Sequence, residues 1–196
     1  MSRVFTALSR AGWGISATNS QAAHLPALAI DADNSTYWWS GANIPHSLIV
    51  NMGSSQTFTA VSVLPSSSFT SDRPTGIDVY VSTDGVTWGA AIASVTGLAN
   101  DATAKIVTFA SQTKRYVKVT VTTSTGGWTQ VGELNVGDYD LIPSGEVRNI
   151  LVVRTVATLI SNSPSVKARV MIVPTPVPGG SGNPTGKGQI FPTGRS

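Results

Sequence analysis

The chain has no cysteine and only two histidines in 196 residues. The first absence removes disulfides, thiolate nucleophiles and Cys-based zinc sites. The second leaves little for histidine-based nucleophilic catalysis, and there is no Gly-x-Ser-x-Gly elbow to set up a serine nucleophile. Charged residues are sparse, at 12%, and no apolar run approaches the roughly 18 residues of a membrane span. The first ten residues are interrupted by polar side chains rather than forming a continuous apolar segment. The expectation is therefore synthesis in a cytosol without a signal peptide. No amphipathic helix of any length and no fixed-period repeat can be read from the chain.

What is present is Val, Thr, Ser, Gly and Ala in short alternating runs, a composition that suits strands and turns. Residues 5–8, 14–18, 47–52, 58–64, 76–82, 105–109, 115–121 and 130–136 read as strands, each bounded by turn formers. Ile77, Val79 and Val81 alternate with Asp78, Tyr80 and Ser82, as in a half-buried antiparallel strand. Asp84-Gly85 then gives a hairpin signal. About eight such strands predict an all-β sandwich over residues 1–140. Its longer loops, 34–46, 65–75 and 122–130, are the natural binding surface.

Beyond residue 140 the texture changes. Residues 1–140 carry seven Lys/Arg against nine Asp/Glu, and residues 141–196 carry six against one. The basic charges are scattered, so nucleic acid is not an expected partner. Residues 141–173 read as a β-hairpin for attachment or oligomerisation, since two strands alone are marginal in water. Residues 174–196 hold five of the eleven prolines and six of the nineteen glycines, an extended tail by composition. The expected partners of 141–196 are further copies of the chain or other subunits of an assembly.

Ala29-Ile30-Asp31-Ala32-Asp33-Asn34-Ser35-Thr36-Tyr37-Trp38-Trp39 sets two carboxylates between residues that ask for burial. An unpaired buried carboxylate costs several kcal/mol. Either a hard cation is held at the edge of the core, or the two aspartates cap local turns through side-chain to backbone hydrogen bonds.

Taken with residues 45–53, 79–88, 115–119 and 132–136, this stretch resembles the discoidin family, also called the coagulation factor 5/8 type C domain, which includes many carbohydrate-binding modules. The likeness spans about residues 8–140 and implies a jelly-roll-like sandwich. It further implies a structural calcium held by Asp31, Asp33, Thr36 and Glu133 with main-chain carbonyls near Ala29 and Gly132. Calcium takes six to eight oxygens, which a short loop plus one distant Glu can offer. Two positions depart from the family pattern: Ala32 stands where glycine is usual, and Asn51 replaces a frequent Asp. The paired apolar spikes of lipid-binding members are missing, so membrane insertion is not expected.

A sugar site in this family combines an aromatic platform with polar groups from the loops at one end, because sugars stack C–H faces on rings and need planar hydrogen-bonding partners. The candidates are Trp39, Phe69 and Trp128 with Asn43, His46, Asp72 and Arg73, while Trp38 matches the family's buried tryptophan. A salt bridge from Arg73 to Asp72 or Asp78 is the structural alternative for that arginine. The expected function is non-catalytic glycan or cell-surface polysaccharide binding, in a multisubunit particle such as a phage virion. The rival is a decoration or cement protein that binds no sugar.

Overall fold

The computed structural model describes residues 2–142. The hairpin expected at 141–173, apart from its first two residues, and the tail expected at 174–196 lie outside the described residues.

Nine strands form among the described residues: β1 (Ser2–Ala7), β2 (Gly14–Ala17), β3 (Trp38–Trp39), β4 (His46–Leu64), β5 (Pro74–Ser82), β6 (Ala93–Val95), β7 (Lys105–Ser124), β8 (Gln130–Val131) and β9 (Glu133–Ile142). One 3-10 turn, Pro26–Ala29, has proline in its first turn and leads into the acidic loop. The strands pair antiparallel in the order β1-β9-β4-β7-β5-β6, with β2 also on β4, and β3 and β8 make a separate two-stranded sheet.

Two long strands build the architecture. The first half of β4 pairs with β2 and the last part of β7, and its second half pairs with β9 and the first part of β7. Each long strand thus serves two groups of neighbours, and the change falls at register shifts between Asn51 and Gln56 and between Phe58 and Ala60. The sequence predicts separate strands at 47–52 and 58–64 because Gly53 looks like a stop. Instead Gly53, at φ 79°, sits in a bulge, where glycine adopts a left-handed conformation without a Cβ clash. Asn51 Oδ1 accepts from the Gly53 amide at 3.0 Å and from Arg115 Nε at 2.9 Å, so this residue fastens the bulge. The predicted break between 109 and 115 is likewise bridged, within the continuous β7.

The core is apolar and closed: Trp38, Leu48, Val50, Phe58, Val61, Val63, Ile77, Val79, Val117, Val119, Leu134 and Val136 are all buried. On β5, Ile77, Val79 and Val81 face inward as the alternation requires, but Ser82 is buried as well. Its hydroxyl donates to Asp84 Oδ1 at 2.8 Å and accepts from the amides of Asp84 and Gly85. Asp84-Gly85 therefore closes a local turn rather than a tight hairpin, and the returning strand is β6, with Ala93 opposite Val79.

Candidate functional site

Trp38 and Trp39 are consecutive in β3, so they point to opposite sides of the strand. Trp38 enters the core, and its Nε1 donates to the Asn19 carbonyl and to Ser20 Oγ, both at 3.0 Å. Trp39 stays half-buried and joins a row of rings. His24 stacks on Tyr37 with centroids 4.2 Å apart, Tyr37 stacks on Phe69 at 5.3 Å, Phe69 meets Trp39 edge-on at 5.5 Å, and Trp39 tilts by 51° against Trp128 at 4.8 Å. Three of the sequence-derived candidates, Trp39, Phe69 and Trp128, are thus brought together from β3 and two separate loops.

The geometry separates contact surface from support. Tyr37 lies between two near-parallel rings, at 20° and 4°, so both its faces are covered and it builds the site from beneath. Trp39 and Trp128 form an open wedge, the arrangement that leaves ring surface for an apolar ligand face. Both indole N–H groups are committed inside the protein. Trp39 Nε1 donates to Asp72 Oδ2 at 3.0 Å and Trp128 Nε1 to Asn43 Oδ1 at 3.1 Å. Gln130 supports the row from below, donating from Nε2 to the Phe69 carbonyl and accepting the Ser66 amide on Oε1.

Asp72 is a support rather than a surface hook. It is buried and sits in the left-handed region at φ 59°, a conformation that Asp tolerates better than most residues. Its carbonyl accepts the Gln130 amide, and Gly126 lies so close that an added Cβ would stand 1.9 Å from Asp72 Oδ1. Arg73 follows it. No ion pair joins Arg73 to Asp72 or Asp78, the two ion pairs among the described residues being Arg10–Glu133 and Lys105–Asp101. Arg73 Nε is buried and has no acceptor among the described residues. His46 stands apart. Its Nδ1 is 3.0 Å from Thr18 Oγ1 at the start of β4, and no ring of the row contacts it.

The acidic loop lies directly before the ring row. Asp31 Oδ1 accepts the Asp33 amide at 2.9 Å, and Asp33 Oδ1 accepts the Ser35 amide at 2.9 Å and the Ser35 hydroxyl at 2.6 Å. These are the turn-capping bonds of one of the two sequence readings. The metal reading keeps its own donors. Around Thr36 Oγ1 converge Asp31 Oδ2 at 2.7 Å, the Asp33 carbonyl at 2.9 Å and the Leu28 carbonyl at 3.5 Å. Asp33 thus turns its main-chain oxygen, not its carboxylate, toward the Thr36 hydroxyl, as does Leu28. Ala32 takes φ 70° in spite of its Cβ; the glycine conformation is kept at a cost of about 1 kcal/mol.

Glu133 completes the group from β9. Burial pushes its carboxyl up, the Arg10 guanidinium pulls it down, and the neighbouring Asp31 carboxylate pushes it up again. Its Oε2 accepts from Arg10 Nη1, while Oε1 is buried without a donor, as is Asn34 Oδ1. An added Cβ on Gly132 would lie 2.3 Å from that Asn34 oxygen, so the two orphaned oxygens flank adjacent residues. An oxygen-only donor set with orphaned members fits a hard cation such as calcium. No cluster of three or more His, Cys, Asp or Glu side chains suited to a metal occurs among the described residues, so such a site would depend on hydroxyl and carbonyl oxygens.

Comparison with known proteins accounts for this layout. Galactose oxidase of Gibberella zeae is 32% identical over 140 residues, 67% of this chain and 20% of the enzyme, so the chain spans one fifth of the length of that relative. Among solved structures, CpGH89CBM32-5 from Clostridium perfringens, in complex with GalNAc-β-1,3-galactose, superposes with a TM-score of 0.64 at 24% identity, covering 67% of this chain and 99% of that one. The family 32 carbohydrate-binding module of C. perfringens NanJ, in complex with galactose, gives 0.60 at 25%, covering 70% and 100%. The F5/8 type C domain model matches residues 14–134, the span that holds both the acidic loop and the ring row, and the chain belongs to the F5/8 type C domain family.

Proposed function

We propose that the sandwich is a non-catalytic glycan-binding module that seats a sugar on Trp39, Phe69 and Trp128, with Arg73 and Asn43 as polar contacts. The observation that carries this reading is the wedge of two indoles whose N–H groups are already held by Asp72 and Asn43. Rings fixed in this way offer apolar faces at little ordering cost, and a sugar's C–H face is their natural complement. The guanidinium of Arg73 supplies planar donors for hydroxyl or carboxyl oxygens. Two structural relatives solved with galactose-containing ligands support the same choice.

Calcium at Asp31, Asp33, Thr36 and Glu133 belongs to this proposal as a structural ion that ties the acidic loop to β9. So does the setting: a multisubunit particle such as a phage virion, joined through residues 141–196, where many weak sites act together by avidity.

A glycan array read with the full-length protein tests the sugar reading. Trp39→Ala and Trp128→Ala should each abolish array binding while cooperative thermal unfolding is retained. Silence of the intact protein across bacterial polysaccharides and galactose-terminated glycans would overturn it in favour of a decoration protein.

A further inference from the structure

Glu133 raises a question of charge balance. Its side chain is 7% exposed, and the exposed carboxylate of Asp31 adds a like-charge push on it. One cation is supplied by the chain itself. Arg10, from the segment between β1 and β2, donates from Nη1 to Glu133 Oε2, and its own side chain is 21% exposed. The guanidinium satisfies one oxygen only, so Glu133 Oε1 remains buried without a donor. This arrangement is half-neutralised: one positive charge serves two carboxylates, and one carboxylate oxygen is still unpaired.

We propose that Arg10 is a built-in counter-ion that neutralises the buried Glu133 in metal-free protein and opposes a divalent cation at the same carboxylates. The inference rests on the calcium reading given above and adds the residue that sets its strength. A guanidinium bound to one oxygen of Glu133 repels a divalent ion at the other, since the separation is within one carboxylate and the site is poorly screened. Calcium affinity in oxygen sites follows the net charge of the donor set. With Arg10 in place that net charge is smaller by one unit, so Glu133 stays paired at low calcium and the site binds the ion weakly. Arg10 reaches the site from a region that lies outside the acidic loop and far from β9 in sequence, which makes it separable by mutation.

The test is calcium titration of full-length protein by calorimetry, together with thermal unfolding in chelator and in millimolar calcium, for wild type, Arg10→Gln and Arg10→Lys. Arg10→Gln keeps a donor for Glu133 but removes the charge. It should melt below wild type in chelator, recover most of that difference in calcium, and bind calcium about tenfold more tightly. Arg10→Lys should behave like wild type. Equal calcium affinity in wild type and Arg10→Gln would overturn the opposing role while leaving the calcium site standing. No calcium binding by either protein would remove the site itself, and the proposal with it.

Discussion

The acidic loop and the ring row adjoin at Thr36 and Tyr37, yet they leave opposite things over. In the ring row the indole N–H groups are used up, on Asp72 and Asn43, and Gln130 is bonded on both ends of its amide. What remains is ring surface. In the acidic loop the donors are used up instead, by Asp31, Asp33 and the Asp33 carbonyl, and what remains is oxygen. The leftover chemistry of each region suits its proposed complement, an apolar face with hydroxyls for one and a hard cation for the other. Hydrogen bonds inside a site define by exclusion what it can still bind.

The largest test of this division uses the two consecutive tryptophans. Trp38→Ala empties a fully buried indole site and strands the Asn19 carbonyl, and it should cost about 3–5 kcal/mol. Trp39→Ala removes a half-buried ring whose contacts are aromatic pairs worth about 0.5–1.5 kcal/mol each. Chemical denaturation should therefore rank Trp38→Ala as the larger loss of the two. Equal losses would mean that the ring row is a second core and not a surface.

A smaller effect is expected at Gly126, where a Cβ meets Asp72 Oδ1 at 1.9 Å. Gly126→Ala must push Asp72 aside at a cost of about 1–3 kcal/mol, and Trp39 loses its anchor. Gly127 is the control: at φ 90° it has no atom within 4 Å of an added Cβ, so Gly127→Ala carries only the backbone cost of about 1 kcal/mol. Glycan binding should weaken about tenfold in the first variant and much less in the second, if ring position rather than loop stability governs recognition.

Much of this was readable before any coordinates. The alternation of Ile77, Val79 and Val81, the Tyr116 to Val121 run and the spacing of the family landmarks suffice for the sandwich, because a half-buried strand must alternate. The continuity of β4 and β7 was not readable, since Gly53 signals a stop unless one knows that Asn51 caps the bulge; Asn-x-Gly was the available hint. Trp39, Phe69 and Trp128 were legible as loop aromatics. Tyr37 and His24 were missed because ring stacking is a tertiary event with no local pattern. In sequence Asp72 looks like a polar contact, and only its burial at positive φ reveals it as support. Arg10 carried no signal at all, being 123 residues from its partner Glu133.

The smallest prediction sharpens the acidic side of the comparison, where two aspartates that look alike in sequence differ in role. Asp31 spans the Asp33 amide and Thr36 Oγ1 and lies beside Glu133, whereas the Asp33 carboxylate turns back onto Ser35. Asp31→Asn should therefore weaken calcium binding strongly, and Asp33→Asn only slightly. The Ser35 hydroxyl, then the Ser35 amide, hold the exposed Asp33 carboxyl below its ordinary 3.8. A depressed pKa in the folded state stabilises above the unfolded value and is lost as pH falls through the folded one. In chelator, wild type should thus be slightly more stable than Asp33→Asn above pH 4, and the two unfolding curves should merge as the solution is acidified. A difference that persists or widens in acid would show that the Asp33 carboxylate has a partner other than Ser35.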